Sequence, residues 1–246
     1  MNKGLHFSRS PLTEALIDIR IQSRPDLNLD DLAAIQKGHE SEYPSRKDQM
    51  LVEGQFSIDP DNPVAIGNRT HIGYEFKAND ERQTVRVSVQ GFSFSRIAPY
   101  DTWETFRDEA RRWWRIYSDV AQPISPTRLA VRYINRLDLP LPLQDFKDYL
   151  RTVPEVSADL PQELAGYFMQ LQIPYYDIGA NLLLNQGIVP APRPNMVSIV
   201  LDIDLFRIID VPLGEEEVWD YFEHLRIKKN DIFLACITDK TKELIA

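Results

Sequence analysis

Arg128-Leu-Ala-Val-Arg-Tyr-Ile-Asn-Arg-Leu-Asp138 places an arginine at every fourth position. Successive side chains of a β-strand point to opposite faces, so Arg128, Arg132 and Arg136 share one side of a predicted strand. Leu129, Val131, Tyr133 and Leu137 take the other side. The stretch therefore reads as a strand with a cationic face backed by a core face, which makes a half-wet antiparallel sheet the natural host. Asn135 falls on the apolar register, where a buried amide needs partners, and is expected to tie a neighbouring strand or loop.

Alternation recurs on both sides of this segment. Glu14 to Ile21 reads as the first strand, with Ala15, Ile17, Ile19 and Ile21 on one face and Glu14, Asp18 and Arg20 on the other. Further strands are predicted at Met50 to Ile58, His71 to Ala78, Gln83 to Gln90 and Phe92 to Ile97. Asn79-Asp-Glu81 is read as a hairpin turn and Gly91 as a bulge or bend. Beyond the midpoint, strands are predicted at Tyr167 to Ile173, Ile178 to Asn185, Met196 to Phe206 and Ile232 to Thr238. Pro190, Pro192 and Pro194 mark an extended loop across Gly187 to Asn195.

Helical spacing is clearest over Asp101 to Asp119, where Trp103, Phe106, Ala110, Trp113 or Trp114, and Tyr117 form an aromatic stripe suited to pack on a sheet. Asp101 or Thr102 can cap it. Helices are also predicted at Leu29 to Tyr43, capped by Asn28 or Asp30, at Gln144 to Thr152, and at Gly214 to Leu225 behind three glutamates. Trp103 and Phe106 lie 116 residues before Trp219 and Phe222, which hints at an internal duplication.

These elements predict an α+β protein with a mostly antiparallel sheet, free to curve toward a barrel, and three or four packed helices. At 246 residues and 43% apolar content the chain can fill a substantial core. No composition break marks a linker, so residues 1–246 read as one compact unit; if halves exist they are 1–140 and 141–246, sharing one sheet system.

Charge and cysteine content narrow the function. With 28 basic and 37 acidic residues the net charge is −9, which argues against broad, sequence-independent nucleic-acid binding. The single cysteine, Cys236, leaves no internal disulfide and reads as core filler within a strand. No apolar run reaches the length of a membrane span, and the first residues lack the apolar stretch of a secretory signal, so a cytoplasmic location is expected. A phosphate loop, a dinucleotide fingerprint, a nucleophile elbow and paired-cysteine metal spacing are all missing. His6, His39, His71 and His224 are scattered without ligand spacing.

What remains is the polar sheet face: Glu14, Asp18 and Arg20, then Glu75 and Lys77, then Arg86, Ser88 and Gln90, then the three midpoint arginines with Asp138, and finally Asp202 and Asp204. One reading makes Arg128, Arg132, Arg136, Arg86, Glu14, Asp18 and Arg20 a surface for a protein partner or small anionic ligand, with no cofactor. A second makes Arg86, Arg128, Arg132 and Arg136 phosphate clamps, and Glu14, Asp18, Asp202 and Asp204 ligands for Mg or Mn in a metal-dependent phosphohydrolase or nucleotide-processing enzyme. A third is plainer: one wet face on which opposite charges pair across strands. Arg107, Arg111, Arg112 and Arg115, interleaved with Asp108 and Glu109, likewise suit a solvated helix face, with RNA or partner-helix contact as the alternative.

Three separated segments, Pro11-Leu-Thr-Glu-Ala-Leu-Ile-Asp-Ile-Arg20, the midpoint strand, and His224-Leu-Arg226 with Asn230-Asp-Ile-Phe233 and Ile237-Thr-Asp239, resemble the ordered landmarks of a sporadically distributed, uncharacterised bacterial family. That resemblance covers nearly the whole chain. It implies a bacterial or archaeal, cytoplasmic accessory protein of toxin–antitoxin, mobile-element or defence type, and it supplies no catalytic residues. Together with the missing catalytic signatures, it favours a non-catalytic interaction module over an enzyme.

Overall fold

The computed structural model describes residues 7–57, 64–162 and 164–246. In chain order the strands are β1 (Leu12–Gln22), β2 (Ser45–Ser57), β3 (Val64–Lys77), β4 (Gln83–Ser88), β5 (Gly91–Ile97), β6 (Ser125–Pro140), β7 (Phe168–Tyr175), β8 (Ala180–Val189) and β9 (Met196–Ile208). The helices are α1 (Leu29–Ala33), α2 (Trp103–Ala121), α3 (Glu215–Cys236) and α4 (Asp239–Ile245). The strands join in the order β2-β3-β4-β5-β1-β6-β9-β8-β7, an open antiparallel sheet that does not close into a barrel. The α+β class therefore holds, and among the described residues no helix is long and apolar enough to cross a membrane.

Contacts divide the chain into two compact units. One comprises residues 18–96 and 101–127. In it the meander β2 to β5 leads into α2, whose Trp103, Phe106, Ala110, Trp113, Trp114 and Tyr117 are all buried. Phe94 meets Phe106 at 5.3 Å between ring centroids, Phe92 meets Tyr117 at 5.9 Å, and Tyr43 stands edge-on to Trp113 at 4.6 Å. Thr102 caps α2 by accepting from the Thr105 amide at 3.2 Å. Gly91 opens β5 after a tight turn at a φ of +154°, and a Cβ there would stand 2.3 Å from the Ile19 carbonyl oxygen, so only glycine fits.

The other unit comprises residues 1–17, 97–100 and 128–246, described from residue 7 onward. Here β7, β8 and β9 form a second meander that leads into α3. Ala15 and Ile17, Leu129, Val131, Tyr133 and Leu137, Ile199 to Leu205 in alternation, and Leu182 with Leu184 make its apolar sheet face. Val218, Trp219, Phe222, Leu225, Ile232 and Cys236 are the buried residues of α3.

Several expectations are corrected. The helix predicted over Leu29 to Tyr43 is α1 followed by one 3₁₀ turn, Ala34–Gln36; Gly38 at φ +85° turns the chain out. Its Asn28 cap is as expected, with Asn28 Oδ1 accepting from the Asp31 amide at 3.0 Å. The helix predicted at Gln144 to Thr152 is only a 3₁₀ turn, Phe146–Asp148, because Leu150 leaves to bridge Ile237. The strand predicted at Ile232 to Thr238 is instead the end of α3 through Cys236; Ile237 and Thr238 are extended, and Thr238 caps α4. Cys236 is buried as expected, although in a helix, and burial pushes its thiol up to about 11. The end of the strand predicted to reach Ile58 lies outside the described residues.

Candidate functional site

The wet face of the α3 unit is built by register. Arg132 lies opposite Asp204 and Arg136 opposite Val200 on β9; Asp202 and Val200 face Asn185 and Gly187 on β8, which in turn face Gln170 and Phe168 on β7. Strand twist lets the long guanidinium stems reach diagonally rather than straight across. Arg132 Nε and Nη2 donate to the two Asp202 oxygens at 2.9 and 2.7 Å, a bidentate fork. Arg128 Nη2 donates to both Asp204 oxygens at 3.3 and 3.0 Å, its guanidinium lying over the Phe206 ring at 4.4 Å. Arg136 pairs along its own strand with Asp138 at 3.0 Å, and Asp138 accepts from Ser198 Oγ at 2.5 Å.

The network extends past the ions. Asn185 Nδ2 donates to Asp202 Oδ2 at 3.1 Å, and Gln170 Nε2 donates to Asn185 Oδ1 at 2.7 Å. Asp202 thus accepts from two strands, and its side chain is 7% exposed while that of Arg132 is 43% exposed. The carboxylate is the anchor and the guanidinium is the presented group. The hydrogen bond to Asp202 raises the Arg132 pKa further, burial opposes it, and the charges of Asp202, Asp204 and Glu14 add to the rise. Within this set, three arginines stand against Asp138, Asp202 and Asp204.

Phe168, 74% exposed, sits on the same face in the row of Arg136, and Ile134, Leu183 and Val200 are half-buried between the ions. Asn135 points to the core face, where its Nδ2 donates to the carbonyls of Tyr133 at 3.3 Å and Leu201 at 3.2 Å. It ties β6 to β9, as its register implied.

Asp18, Arg20 and Arg86, also singled out from the sequence, form local pairs in the α2 unit. Arg20 Nε meets Asp18 at 3.3 Å, and Arg86 Nε meets Glu75 at 2.9 Å. Glu14 belongs to the α3 unit and acts on Arg132 through its charge. Asp202 and Asp204 are each engaged by an arginine, and among the described residues no group of three or more His, Cys, Asp or Glu is disposed to hold a metal ion. On α2, Arg107 pairs with Asp108, while Arg112 pairs with Glu109 and Glu42. A cavity of about 510 Å³ is lined there by His39, Asp108, Arg111, Arg112, Arg115 and Ile116. A second, of about 770 Å³, lies among residues 141–165 with Val197. Neither has Arg128, Arg132 or Arg136 in its wall.

Sequence reasoning missed Gln170 and Asn185, whose signal was their alternation in strands of otherwise apolar content. The site defines a class: an open antiparallel α+β sheet with one ion-paired, partly apolar wet face. No protein-family model matches the chain, and no curated protein matches it.

Proposed function

We propose that this chain is a non-catalytic binding module of a bacterial accessory system, of toxin–antitoxin or defence type, and that the wet face of the α3 unit takes a protein partner. The observation that carries the reading is the disposition of Arg132 and Arg136. Both side chains are more than 40% exposed, each is oriented by a carboxylate beneath or beside it, and exposed Phe168 lies in the same patch. Arginine and aromatic side chains together are the usual energetic centres of protein interfaces. A preoriented guanidinium also loses less freedom on binding than a loose one. The resemblance of the three landmark segments supports the accessory-system setting.

An Mg- or Mn-dependent phosphohydrolase draws less support. Asp202 already accepts from Arg132 and Asn185, so a cation there would have to displace a bidentate guanidinium.

Immobilised wild-type chain and the Arg132→Ala, Arg136→Ala double variant, compared as baits in extract of the host cell, test the proposal. A protein retained by the wild type should be recovered at least roughly tenfold less by a double variant of unchanged melting temperature. Equal recovery of every retained protein would overturn the reading, as would a millimolar nucleotide and Mg or Mn raising the melting temperature in a way Asp202→Asn abolishes.

A further inference from the structure

β2 and β7 are the edge strands of the sheet, and they differ in what guards them. β2 carries Arg46, Lys47, Asp48 and Glu53 and shifts register between Gln49 and Met50; charges and irregularities of this kind are how edges ordinarily resist pairing. β7 reads Phe168-Met-Gln-Leu-Gln-Ile-Pro-Tyr175, a strand without a charge and with an unbroken register against β8. Such an edge is a template for another strand.

The register shows which backbone groups β7 offers. The Ile188 amide donates to the Tyr167 carbonyl at 3.2 Å, a hydrogen-bonded pair continuous with the β7–β8 register. Antiparallel pairing alternates, so Met169, Leu171, Ile173 and Tyr175 turn their backbone groups toward β8, while Phe168, Gln170, Gln172 and Pro174 turn theirs outward. Pro174 has no amide, and it falls in the outward set, where the β8 ladder loses nothing. Among the described residues no strand pairs with the outward row, and no backbone hydrogen bond outside the strands ends on it. On the apolar side Met169 and Leu171 stay half-buried and Ile173 is 37% exposed, although Leu184 and Leu182, opposite Leu171 and Ile173 on β8, are buried. The core layer of the α3 unit thus runs out to an uncovered margin.

We propose that β7 pairs antiparallel with β7 of a second copy of this chain, about a two-fold axis at Gln170. The strand fits itself. With Gln170 opposite Gln170, Phe168 of each copy lies opposite Gln172 of the other, so the outward amides of all three residues find outward carbonyls. Moving the axis toward Gln172 would set each Pro174 ring against the Phe168 carbonyl of the other copy, which would lose its donor. On the apolar side, Met169 of each copy meets Leu171 of the other, which carries the core layer across the axis. No charged side chain of β7 meets its like, because β7 has none. A two-fold contact is closed, and with β2 guarded by its charges the pairing stops at two copies. It stands apart from the partner reading, since Arg132 and Arg136 lie on β6, three strands inward.

Sedimentation velocity of the full chain tests the pairing. A single strand edge buries less than the roughly 1,200 Å² of a standard interface, so the mass should climb from one copy toward two between about 1 and 300 µM. Gln172→Pro removes an outward donor without touching the β8 ladder, and Gln172→Lys puts a charge on the edge. At unchanged melting temperature each should raise the dissociation constant roughly tenfold or more. With Cys236 buried, a short bismaleimide should join copies of Gln170→Cys and leave Lys47→Cys, on β2, as single chains. One-copy mass at every concentration, whatever else binds the edge, would overturn the proposal. So would dimers that both Gln172 variants leave intact, or cross-linking no faster at Gln170→Cys than at Lys47→Cys.

Discussion

Glu109 in the α2 unit and Lys229 in the α3 unit are both half-buried ionisable groups, and their partners differ. Glu109 accepts from Tyr43 Oη at 3.0 Å, from Arg112 Nη2 at 2.6 Å and from Trp113 Nε1 at 3.1 Å. Burial alone would raise its pKa, but the hydrogen bonds and charge of Arg112, with those from Tyr43 and Trp113, hold it below the usual carboxylate range. Lys229 has an aromatic face and an amide oxygen but no carboxylate partner among the described residues. A ring face favours the ammonium by about 0.5–2 kcal/mol. A fall from 10.5 to about 7 corresponds to several kcal/mol against it, so desolvation wins. Both units run a meander into a long helix with a buried Trp and Phe pair, at 6.1 Å in α2 and 5.2 Å in α3. Its donors hold Glu109 in the charged form, whereas desolvation moves Lys229 toward its neutral form.

The largest effect should come from the scaffold side. Trp113 is fully buried among Tyr43, Phe76 and His39, and Trp113→Ala should cost about 3–5 kcal/mol in denaturant unfolding. A loss below about 1 kcal/mol would break the view of that core as rigidly packed.

The pH dependence of the α3 unit comes next. The Lys229 pKa is about 7 folded against 10.5 for the model amine, so between those values the unfolded chain holds the extra proton and stability rises with pH. Below pH 7 the penalty is complete and constant. Wild type should gain up to about 1.4 kcal/mol per pH unit from pH 7 to about 8, below the range where the unfolded Cys236 thiol and then the tyrosines ionise and reverse the trend. Lys229→Met should be more stable at pH 7 and lack that slope. Parallel curves for the two proteins would refute the assignment.

Glu109→Gln should cost about 1–3 kcal/mol by stripping Arg112 and Tyr43 of a charged acceptor. Because the folded Glu109 pKa is depressed, its stabilisation is present above the unfolded carboxylate pKa and fades as pH falls through the folded value. The variant should lose that acid dependence, which urea titrations from pH 3 to 6 would read. Least of all, Arg136→Ala should shift stability by under about 1 kcal/mol, since an ion pair with a 42% exposed arginine contributes little. A larger shift would turn the wet face from a presented surface into a structural one.

Local signals carried much of the fold. Alternation placed Arg128, Arg132 and Arg136 opposite Leu129, Val131 and Tyr133, and the structure keeps that division. The caps at Asn28 and Thr102 and the turn at Asn79 were equally readable, since each depends on residues within three or four positions. The extent of α3 was not. Ile232 to Thr238 is a short apolar run, consistent with a strand or a buried helix turn, and its packing as one turn of α3 decided the matter. Ending that helix at Leu225 hid the stripe position of Lys229. At Gln144 to Thr152, the pairing of Leu150 with Ile237 overrode helical spacing.

By itself the amino-acid sequence determined the α+β class, the two-faced midpoint strand, the aromatic helix and the presence of arginines and carboxylates on one sheet side. These follow from periodicity and composition, which act over a few residues. Only tertiary structure decided that Arg132 meets Asp202 across β9, that Asn185 and Gln170 extend that network, and that Lys229 lies over Tyr133. Those depend on strand register and helix rotation between segments from 15 to 96 residues apart, fixed by how whole faces pack.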